Sequence, residues 1–443
     1  MNRYDLNRTH QLCEFINASP TAFHAVEGAA KILDQNGFVA LLEGEEWKLE
    51  AGKDYYVTRN QSSIIAFRMP KEAPNGFMIT ATHTDSPTFK LKNDYESSAF
   101  NQYVRLNVEP YGGTIYSSWF DRPLSLAGRV ILCKDGEFFA KTVKIDRDLV
   151  MIPNVAIHFN RTVNSGYSYN PAVDLLPLFS QNGDEKVTLK SLLARELSCE
   201  EEEILGMDLY LYNRAKGSVW GACNEFFSSP RIDNLMCMYG TLCGMLESRD
   251  PSSVGVFFAA DNEETGSSTK QGAGSVFLSD VLSRICECLG TDKRRMLASS
   301  MMVSADNGHA RHPNHPELSD AQNAPKLNGG VVIKTNASQR YTTDGISAAL
   351  FAEICRRAEV PTQNFANRSD LPGGSTLGSI SNTKVPLITV DIGMAQLAMH
   401  SSYETAGCAD VDYLIRATKE FYQSSIQTVC DGCYRLIERA KEV

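Results

Sequence analysis

The sequence has no long apolar run and no excess of positive charge. No window approaches the ~18 apolar residues of a membrane-spanning helix, and the first residues, MNRYDLNRTHQLCEF, lack the apolar segment of a secretory signal. Lysine and arginine number 43 against 53 acidic residues, which gives a formal net charge of −10. This balance argues against nucleic acid or an anionic membrane as the main partner. We therefore expect a cytoplasmic protein that binds neither.

The signatures of several enzyme classes are also missing. There is no GxSxG elbow of a serine hydrolase and no convincing Cys–His pair, and Gly373-Gly374-Ser375 lacks the lysine and the spacing of a P-loop. The twelve cysteines are scattered, mostly in apolar helical patterns, as is typical of reduced, buried thiols. Cys430 and Cys433 form a CxxC inside a predicted helix. No second pair completes a zinc site, so we expect a structural role for them.

The pattern of apolar residues predicts two kinds of structure in a chain of 443 residues. Strands alternate with helices up to residue 92 and again after residue 230, which indicates βαβ units and a largely parallel sheet. Residues 93–229 instead contain short β-type runs separated by turns, which indicates a β-rich unit. We predict an α/β fold with a mostly parallel central sheet flanked by helices. One discontinuous α/β domain would comprise 1–92 and 230–443, and 93–229 would form an inserted β-rich domain.

The apolar runs also predict where individual strands and helices lie in the sequence. The predicted strands include Phe77–Thr82, Val254–Ala260, Met301–Ala305, Val331–Thr335 and Val385–Ile392. The predicted helices include Asn234–Glu247, Val276–Gly290, Thr343–Glu359 and a long final helix over Asp410–Val443, in which Asp431-Gly432 is a candidate break.

Histidine and acidic residues follow several of these strands, where ligands bind in α/β sheets. The set comprises His83, Asp85, Asp233, Glu263, Glu264, Asp306 and His400. Each residue also has an ordinary interpretation: Asp233 can cap a helix, and Glu263-Glu264 can form a solvated acidic turn. Together, however, imidazoles and carboxylates are the ligands of zinc and similar ions. The pattern predicts a metal site in which Glu264 is a ligand and Glu263 carries protons.

Two further features bear on this site. A metal-bound imidazole usually donates its second N–H to a carboxylate, and Asp85, two residues after His83, can fill that role. A second cluster, His309, His312 and His315, could suggest a separate histidine site. The prolines at 313 and 316 keep these histidines off one helical face, so we set that site aside.

The sequence resembles the aspartyl aminopeptidase family, a family of two-metal aminopeptidases. The motifs that carry the resemblance occur in family order along nearly the whole chain: ATHTDSP (81–87), RIDNL (231–235), DNEETG (261–266), SADNGHARHP (304–313), VIKTNASQRY (332–341) and QLAMHS (396–401). The resemblance implies that Asp233 bridges two metals. His83 and Asp306 would complete the ligands of one ion, and Glu264 and His400 those of the other.

The resemblance also assigns roles to other residues. Glu263 would be the general base, and Asp85 would orient His83. His158 matches a histidine that such enzymes supply to a neighbouring subunit's active site; a strand histidine with a local partner is the alternative. Lys334 and Tyr341 would bind an acidic substrate side chain. The family match also implies that residues 1–92 and 230–443 form the catalytic domain and that residues 93–229 form an inserted dimerisation domain. It implies a homo-oligomer, a dodecamer built from dimers.

The expected activity is release of N-terminal residues, with a preference for Asp or Glu, from peptide substrates. Two divalent ions, zinc first with Co²⁺ and Mn²⁺ also suitable, would share a water whose proton Glu263 takes. One alternative is a two-metal deacylase or amidohydrolase acting on small N-acyl substrates. Another is a non-catalytic assembly protein that retains the fold.

Overall fold

A computed structural model describes residues 5–181, 187–249, 251–371 and 373–437. The helices in these ranges are α1 (Asn7–Ala18), α2 (Ala22–Gln35), α3 (Pro171–Asp174), α4 (Leu189–Leu197), α5 (Ile232–Glu247), α6 (Phe277–Leu289), α7 (Lys293–Leu297), α8 (Gly345–Arg357), α9 (Leu377–Asn382) and α10 (Cys408–Gln423). Within this described part, no helix is both long and apolar enough to cross a membrane.

The strands pair into several sheets. They are β1 (Val39–Leu41), β2 (Asp54–Arg59), β3 (Ser63–Arg68), β4 (Phe77–His83), β5 (Thr88–Ala99), β6 (Tyr103–Tyr111), β7 (Leu124–Lys134), β8 (Glu137–Lys144), β9 (Leu178–Gln181), β10 (Ile204–Asn213), β11 (Ser218–Trp220), β12 (Phe226–Ser229), β13 (Val254–Ala260), β14 (Met301–Ala305), β15 (Gly308–His309), β16 (Val331–Thr335), β17 (Thr362–Ala366), β18 (Ile388–Gly393), β19 (Ala395–Leu397), β20 (Glu404–Gly407), β21 (Ser425–Cys430) and β22 (Cys433–Ile437).

Over the described residues, the central sheet has nine strands in the order β1-β2-β3-β13-β4-β14-β18-β16-β17. Its middle strands β13, β4, β14 and β18 run parallel to one another. Every residue of β4, β13 and β14 is buried, as expected where helices cover both faces of a parallel sheet. Continuous apolar runs are therefore the pattern that such strands require.

Helices pack on both faces of this sheet, because alternate strand residues point to opposite sides. In β13, Phe257 and Ala259 join a core formed with α1, α2, α5, α8 and α10. Val256 and Phe258 join a second core with α6, α7 and α9. The predicted α/β class, with helices flanking a mostly parallel sheet, is confirmed.

A separate β-rich unit lies in the sequence between β4 and β13, which are themselves neighbours in the central sheet. Its six strands pair in the antiparallel order β8-β7-β10-β5-β6-β9. They enclose their own core, which contains Phe89, Trp119 and Leu126. The next two strands, β11 and β12, pair with each other, and β12 pairs with β20 in a small sheet that also contains β19 and β15. The predicted domain limits at 93 and 229 stay a prediction.

The final helix predicted over Asp410–Val443 is wrong beyond Gln423. Helix α10 ends at Gln423, and an antiparallel hairpin of β21 and β22 follows. The β-branched residues Ile426, Thr428 and Val429 favour a strand, and Asp431-Gly432, with Gly432 at φ +78°, forms the turn. The last six predicted helical residues, 438–443, lie outside the described residues.

Close packing of α5 against α10 gives a test of this fold. A Cβ at Gly244 would lie 2.1 Å from Thr418 Oγ1 and 2.9 Å from the backbone nitrogen of Lys419. Gly244→Ala should therefore lower the free energy of unfolding by about 1–3 kcal/mol, as overpacking does. The measurement is urea denaturation at fixed metal concentration.

Gly345, the first residue of α8, is the matched control. A Cβ there meets no atom within 4 Å, so Gly345→Ala should raise the free energy of unfolding by about 0.4–1 kcal/mol. Equal effects of the two substitutions would contradict the tight α5–α10 contact.

Candidate metal centre

The histidine and acidic residues predicted from strand ends come together at the carboxyl edge of the central sheet. His83 is the last residue of β4, Asp306 follows β14 directly, and Glu263 and Glu264 form a 3₁₀ turn after β13. These strands are parallel neighbours, so their ends meet. Two more residues reach the same point: Asp233 from the first turn of α5, and His400 from the loop between β19 and β20.

The two oxygens of Asp233 face two separate groups of side chains. Oδ1 lies 3.6 Å from His83 Nε2, and that nitrogen lies 3.5 Å from Asp306 Oδ1. Oδ2 lies 3.5 Å from His400 Nε2, which is 3.5 Å from Glu264 Oε2. The carboxylate of Asp233 thus stands between a His83–Asp306 pair and a His400–Glu264 pair.

These separations fit divalent ions better than direct hydrogen bonds. Distances of 3.5–3.6 Å are long for a hydrogen bond. Donor atoms at 2.0–2.1 Å from one tetrahedral ion lie about 3.3 Å apart. Asp233 Oδ1 is buried without a hydrogen-bond partner, so this oxygen does not cap the helix. One atom each of His83, Asp233 and Glu264 can be chosen within 4.8 Å of one another.

The electrostatics of the site favour a bound cation. Burial raises the pKa of Glu263 to about 8 and that of Glu264 well above its usual value, and neighbouring acids add to both effects. Burial lowers the pKa of His400, but Asp233 and Glu264 outweigh it and raise that pKa to about 10. All three shifts mean that this pocket retains positive charge or protons.

Asp85 contacts both His83 and the acidic turn. Its Oδ1 lies 3.3 Å from His83 Nδ1. The backbone N–H groups of Glu263 and Glu264 donate to Asp85 Oδ1 and Oδ2, each at 3.2 Å. The ring of His83 is therefore held by Asp85 through its carboxylate and through its backbone carbonyl, which lies 3.1 Å from Nδ1. The same carboxylate fixes the position of the two glutamates.

Lys334 lies behind Asp306 in the same site. Its Nζ is 3.3 Å from Asp306 Oδ2, donates to the carbonyl of Asn307 at 2.9 Å, and lies 5.5 Å from the ring centre of Tyr341. The side chain of Lys334 is only 2% exposed. Burial disfavours ionisation of Asp306, but Lys334 and His83 outweigh it and hold the pKa of Asp306 below its usual value.

His158 is not part of this cluster within the described chain. It is exposed, on a turn of the β-rich unit where the Phe159 N–H donates to the Ala156 carbonyl at 2.8 Å. Its role at a neighbouring subunit stays a prediction. The roles assigned to the other site residues are likewise predictions.

Sequence reasoning missed a contribution from the β-rich unit, at the end of β6. The Tyr111 hydroxyl donates to Asp85 Oδ2 at 2.8 Å. His400 Nδ1 lies 2.8 Å from the carbonyl oxygen of Gly113, to which it can donate. Gly112, at φ +72°, brings the backbone so close that a Cβ would lie 3.0 Å from Glu264 Cβ. As a sequence pattern, Tyr111-Gly112-Gly113 is an ordinary turn signal and does not point to a contact with the site.

Glu404 was also missed. Its carboxylate accepts the backbone N–H of Asp233 at 3.0 Å and of His400 at 2.8 Å. Burial raises the pKa of Glu404 to about 8, and the charge of Asp233 adds to the rise. The only sequence signal was an acidic residue four positions after His400.

A family model described as aminopeptidase I zinc metalloprotease (M18) matches residues 15–422. The chain belongs to the M18 family. The resemblance to the aspartyl aminopeptidases is thereby confirmed, and so is the activity class: the protein is a metallo-aminopeptidase. Zinc is the metal that the family description names.

Relatives and solved structures agree with this M18 assignment. A probable M18 family aminopeptidase 2 of Clostridium novyi is 45% identical over 93% of this chain and 98% of its own length. That of Clostridium acetobutylicum is 44% identical over 94% and 99%. Among structures, Ape4 in its complex with Nbr1 has a TM-score of 0.91 at 39% identity, covering 94% of this chain and 85% of that one. The S. cerevisiae mApe1 dodecamer has a TM-score of 0.83 at 26% identity, covering 94% of this chain and 96% of that one.

The contact of Tyr111 with Asp85 can be tested in this M18 enzyme. Tyr111→Phe removes the hydrogen bond to Asp85, so the orientation of His83 is less well fixed. We expect metal affinity to fall about 10- to 100-fold, as is typical when a partner of a ligand is lost. The measurement is titration of the metal against a competing chelator, together with activity.

Tyr56→Phe is the matched control, because the Tyr56 hydroxyl donates to Asp34 at the same 2.8 Å in another part of the fold. It should leave metal affinity unchanged. Similar affinities in both variants would show that Tyr111 does not support the metal site.

Proposed function

We propose that this M18 aminopeptidase uses two divalent ions, bridged by Asp233. His83 and Asp306 would complete one set of ligands, and Glu264 and His400 the other. The observation that carries the proposal is the pair of Asp233 oxygens, each 3.5–3.6 Å from a different imidazole. Zinc suits this mixture of nitrogen and oxygen donors, and Co²⁺ and Mn²⁺ suit it as well.

When bound, such ions polarise the scissile carbonyl and make a water more acidic. In our proposal Glu263 takes the proton of the attacking water and then delivers it to the leaving amine. Without cations, burial raises the pKa of Glu263 to about 8; nearby cations would lower it. These opposed effects bring the carboxyl group toward the range in which a general base works at neutral pH.

The supporting contacts would keep Glu263 in position during this transfer. Its backbone N–H donates to Asp85, and the same carboxylate contacts the His83 ring. Movement of the base relative to the metal ligands is therefore restricted. Asp85 and Tyr111 act as positioning residues in this scheme, since neither needs to touch the substrate.

We further propose a preference for acidic N-terminal residues. A free α-amine would bind at the metal centre or to an acidic side chain, which makes the enzyme an exopeptidase. An acidic side chain on the N-terminal residue of the substrate needs a positive charge in its binding pocket. Lys334, together with Tyr341, is the candidate for binding it. Burial alone would lower the pKa of Lys334, but Asp306 and other acids hold it above its usual value. The lysine therefore stays charged.

We propose a homo-oligomer, a dodecamer built from dimers, through the β-rich unit. Several of its large apolar side chains are exposed: Phe100 by 93%, Phe159 by 87% and Val173 by 66%. Exposed apolar patches of this kind mark interaction surfaces. His158 lies beside Phe159, where it would enter a neighbouring subunit's site. The mApe1 structure from S. cerevisiae is itself a dodecamer. The cytoplasmic location stays a prediction.

If Glu263 is the general base and Asp233 a metal ligand, substitutions at the two residues should have different effects on catalysis and on metal binding. Glu263→Gln should lower kcat by about 10²- to 10⁴-fold and leave metal content unchanged, because the residue is not a proposed ligand. Asp233→Asn should lose the metals themselves. Both are measured by steady-state hydrolysis and by elemental analysis of the purified protein.

Glu72→Gln, at an exposed position outside the site, is the control and should change neither quantity. A Glu263→Gln enzyme with full activity would exclude this residue as the base. Full metal occupancy in Asp233→Asn would exclude the bridge.

The acidic preference is tested with Asp-, Glu- and Leu-p-nitroanilide. Lys334→Met should lower kcat/KM for the acidic substrates about 10- to 100-fold more than for the Leu substrate. This ratio corresponds to the free energy of one hydrogen bond to a charged group. Because Lys334 also contacts Asp306, metal content must be measured in the same samples. A Leu preference that Lys334→Met leaves unchanged would contradict the acidic pocket.

Two controls accompany this panel. Lys31→Met changes an exposed lysine and should leave all three rates unchanged. N-acetylation of the Asp substrate should abolish turnover. Hydrolysis of the blocked substrate would favour the deacylase or amidohydrolase alternative instead.

A further inference from the structure

The hairpin after α10 carries two cysteines that its register brings opposite each other. Cys430 in β21 pairs with Cys433 in β22, across the turn Asp431-Gly432. Directly paired residues of antiparallel strands have Cα atoms about 4.5–5.5 Å apart, and their side chains lie on the same face. A disulfide needs a Cα separation of about 4.4–6.8 Å. The backbone geometry of the pair therefore suits a disulfide.

Both thiols are free and exposed to solvent. This distinguishes them from Cys237, Cys355 and Cys408, which are buried in the main core. Only an accessible thiol can meet a dissolved reagent. The helix predicted around the CxxC is therefore wrong, because the two cysteines lie on exposed strands. The structural role expected for them stays a prediction.

Contacts with the main body hold the hairpin in place. Ile426 is fully buried in the main core. The Thr428 hydroxyl donates to the Ala298 carbonyl at 2.6 Å, and Asn75 Nδ2 donates to the Ile426 carbonyl at 3.1 Å. Because the strands are already paired and anchored, closing the bridge needs little additional ordering of the chain.

The hairpin lies away from the metal centre. Asn75 and Ala298 precede β4 and β14, whereas His83 and Asp306 lie at the other ends of these strands. The family model ends at residue 422, before the hairpin begins. Nothing in the catalytic scheme uses the two thiols.

We propose that Cys430 and Cys433 form a reversible dithiol–disulfide site that low-molecular-weight disulfides oxidise. One cysteine thiolate attacks a sulfur of the small disulfide, which breaks that S–S bond, forms a mixed disulfide and releases one small thiol. The second thiolate then attacks the sulfur of the first cysteine and releases the other small thiol. The protein loses two electrons and two protons, and the small disulfide gains them. The product is a bridge across the end of the hairpin.

The test uses the full-length, metal-loaded enzyme and oxidised glutathione. After incubation over a range of reduced-to-oxidised glutathione ratios, free thiols are blocked with N-ethylmaleimide. Trypsin then releases the peptide 420–435, which contains both cysteines and no others. We expect this peptide to become lighter by two hydrogen atoms and to lose both alkylation sites. A reducing agent should restore them.

Single substitutions test the mechanism. Cys430→Ser and Cys433→Ser should each stop at a mixed disulfide with one glutathione, because the resolving thiol is gone. Cys223→Ser and Cys288→Ser change two other exposed cysteines and should leave the bridge unchanged.

Three results would overturn the proposal: alkylation of both cysteines at every glutathione ratio, a stable mixed disulfide in the wild-type protein, or a bridge from either cysteine to another chain. None of these results bears on the metal centre, since the readout is the mass of one peptide. Failure of this site and failure of the proposed peptidase mechanism are therefore separate outcomes.

Discussion

Buried negative charge at one edge of the central sheet is the constraint on which the site depends. Asp85 and Asp233 are 4% and 3% exposed, and the side chain of Glu264 is 5% exposed. Carboxylates that are buried together in one pocket repel one another, and their burial is costly unless cations lie between them. The two imidazoles and the ammonium group of Lys334 supply part of the positive charge that these carboxylates need. The ordering of this edge and the binding of divalent ions are consequently linked, since each makes the other more favourable.

The β-rich unit also contributes contacts to this charged site. The Gly113 carbonyl lies within hydrogen-bond distance of His400 Nδ1, and Tyr111 donates to Asp85. The N–H of Ile115 also donates to the His400 carbonyl at 3.0 Å. One short segment thus contacts both Asp85, which lies beside His83, and His400. The β-rich unit therefore helps to position side chains on both sides of this cluster.

Much of the fold could be predicted because the buried parallel strands are continuous apolar runs. Val254–Ala260, Met301–Ala305 and Val331–Thr335 agree with the structure to the residue. The metal-site candidates could be found because most of them follow such strands. Glu404 and Tyr111 could not, since their contacts depend on how distant strands pair, as β12 does with β20. The hairpin after α10 was missed because the predicted helix was extended into a segment whose β-branched side chains favour a strand.

The burial of Lys334 has a consequence for specificity. If its ammonium both neutralises Asp306 and faces an acidic substrate, then one charge serves two partners. A substrate carboxylate would compete with Asp306 for that charge, and the divalent ion beside Asp306 would offset the loss. Acidic recognition would then be strongest in the metal-loaded enzyme and weak without metal. Selectivity and metal binding in this enzyme would be two effects of a single electrostatic arrangement, which neither Lys334 nor Asp306 could provide alone.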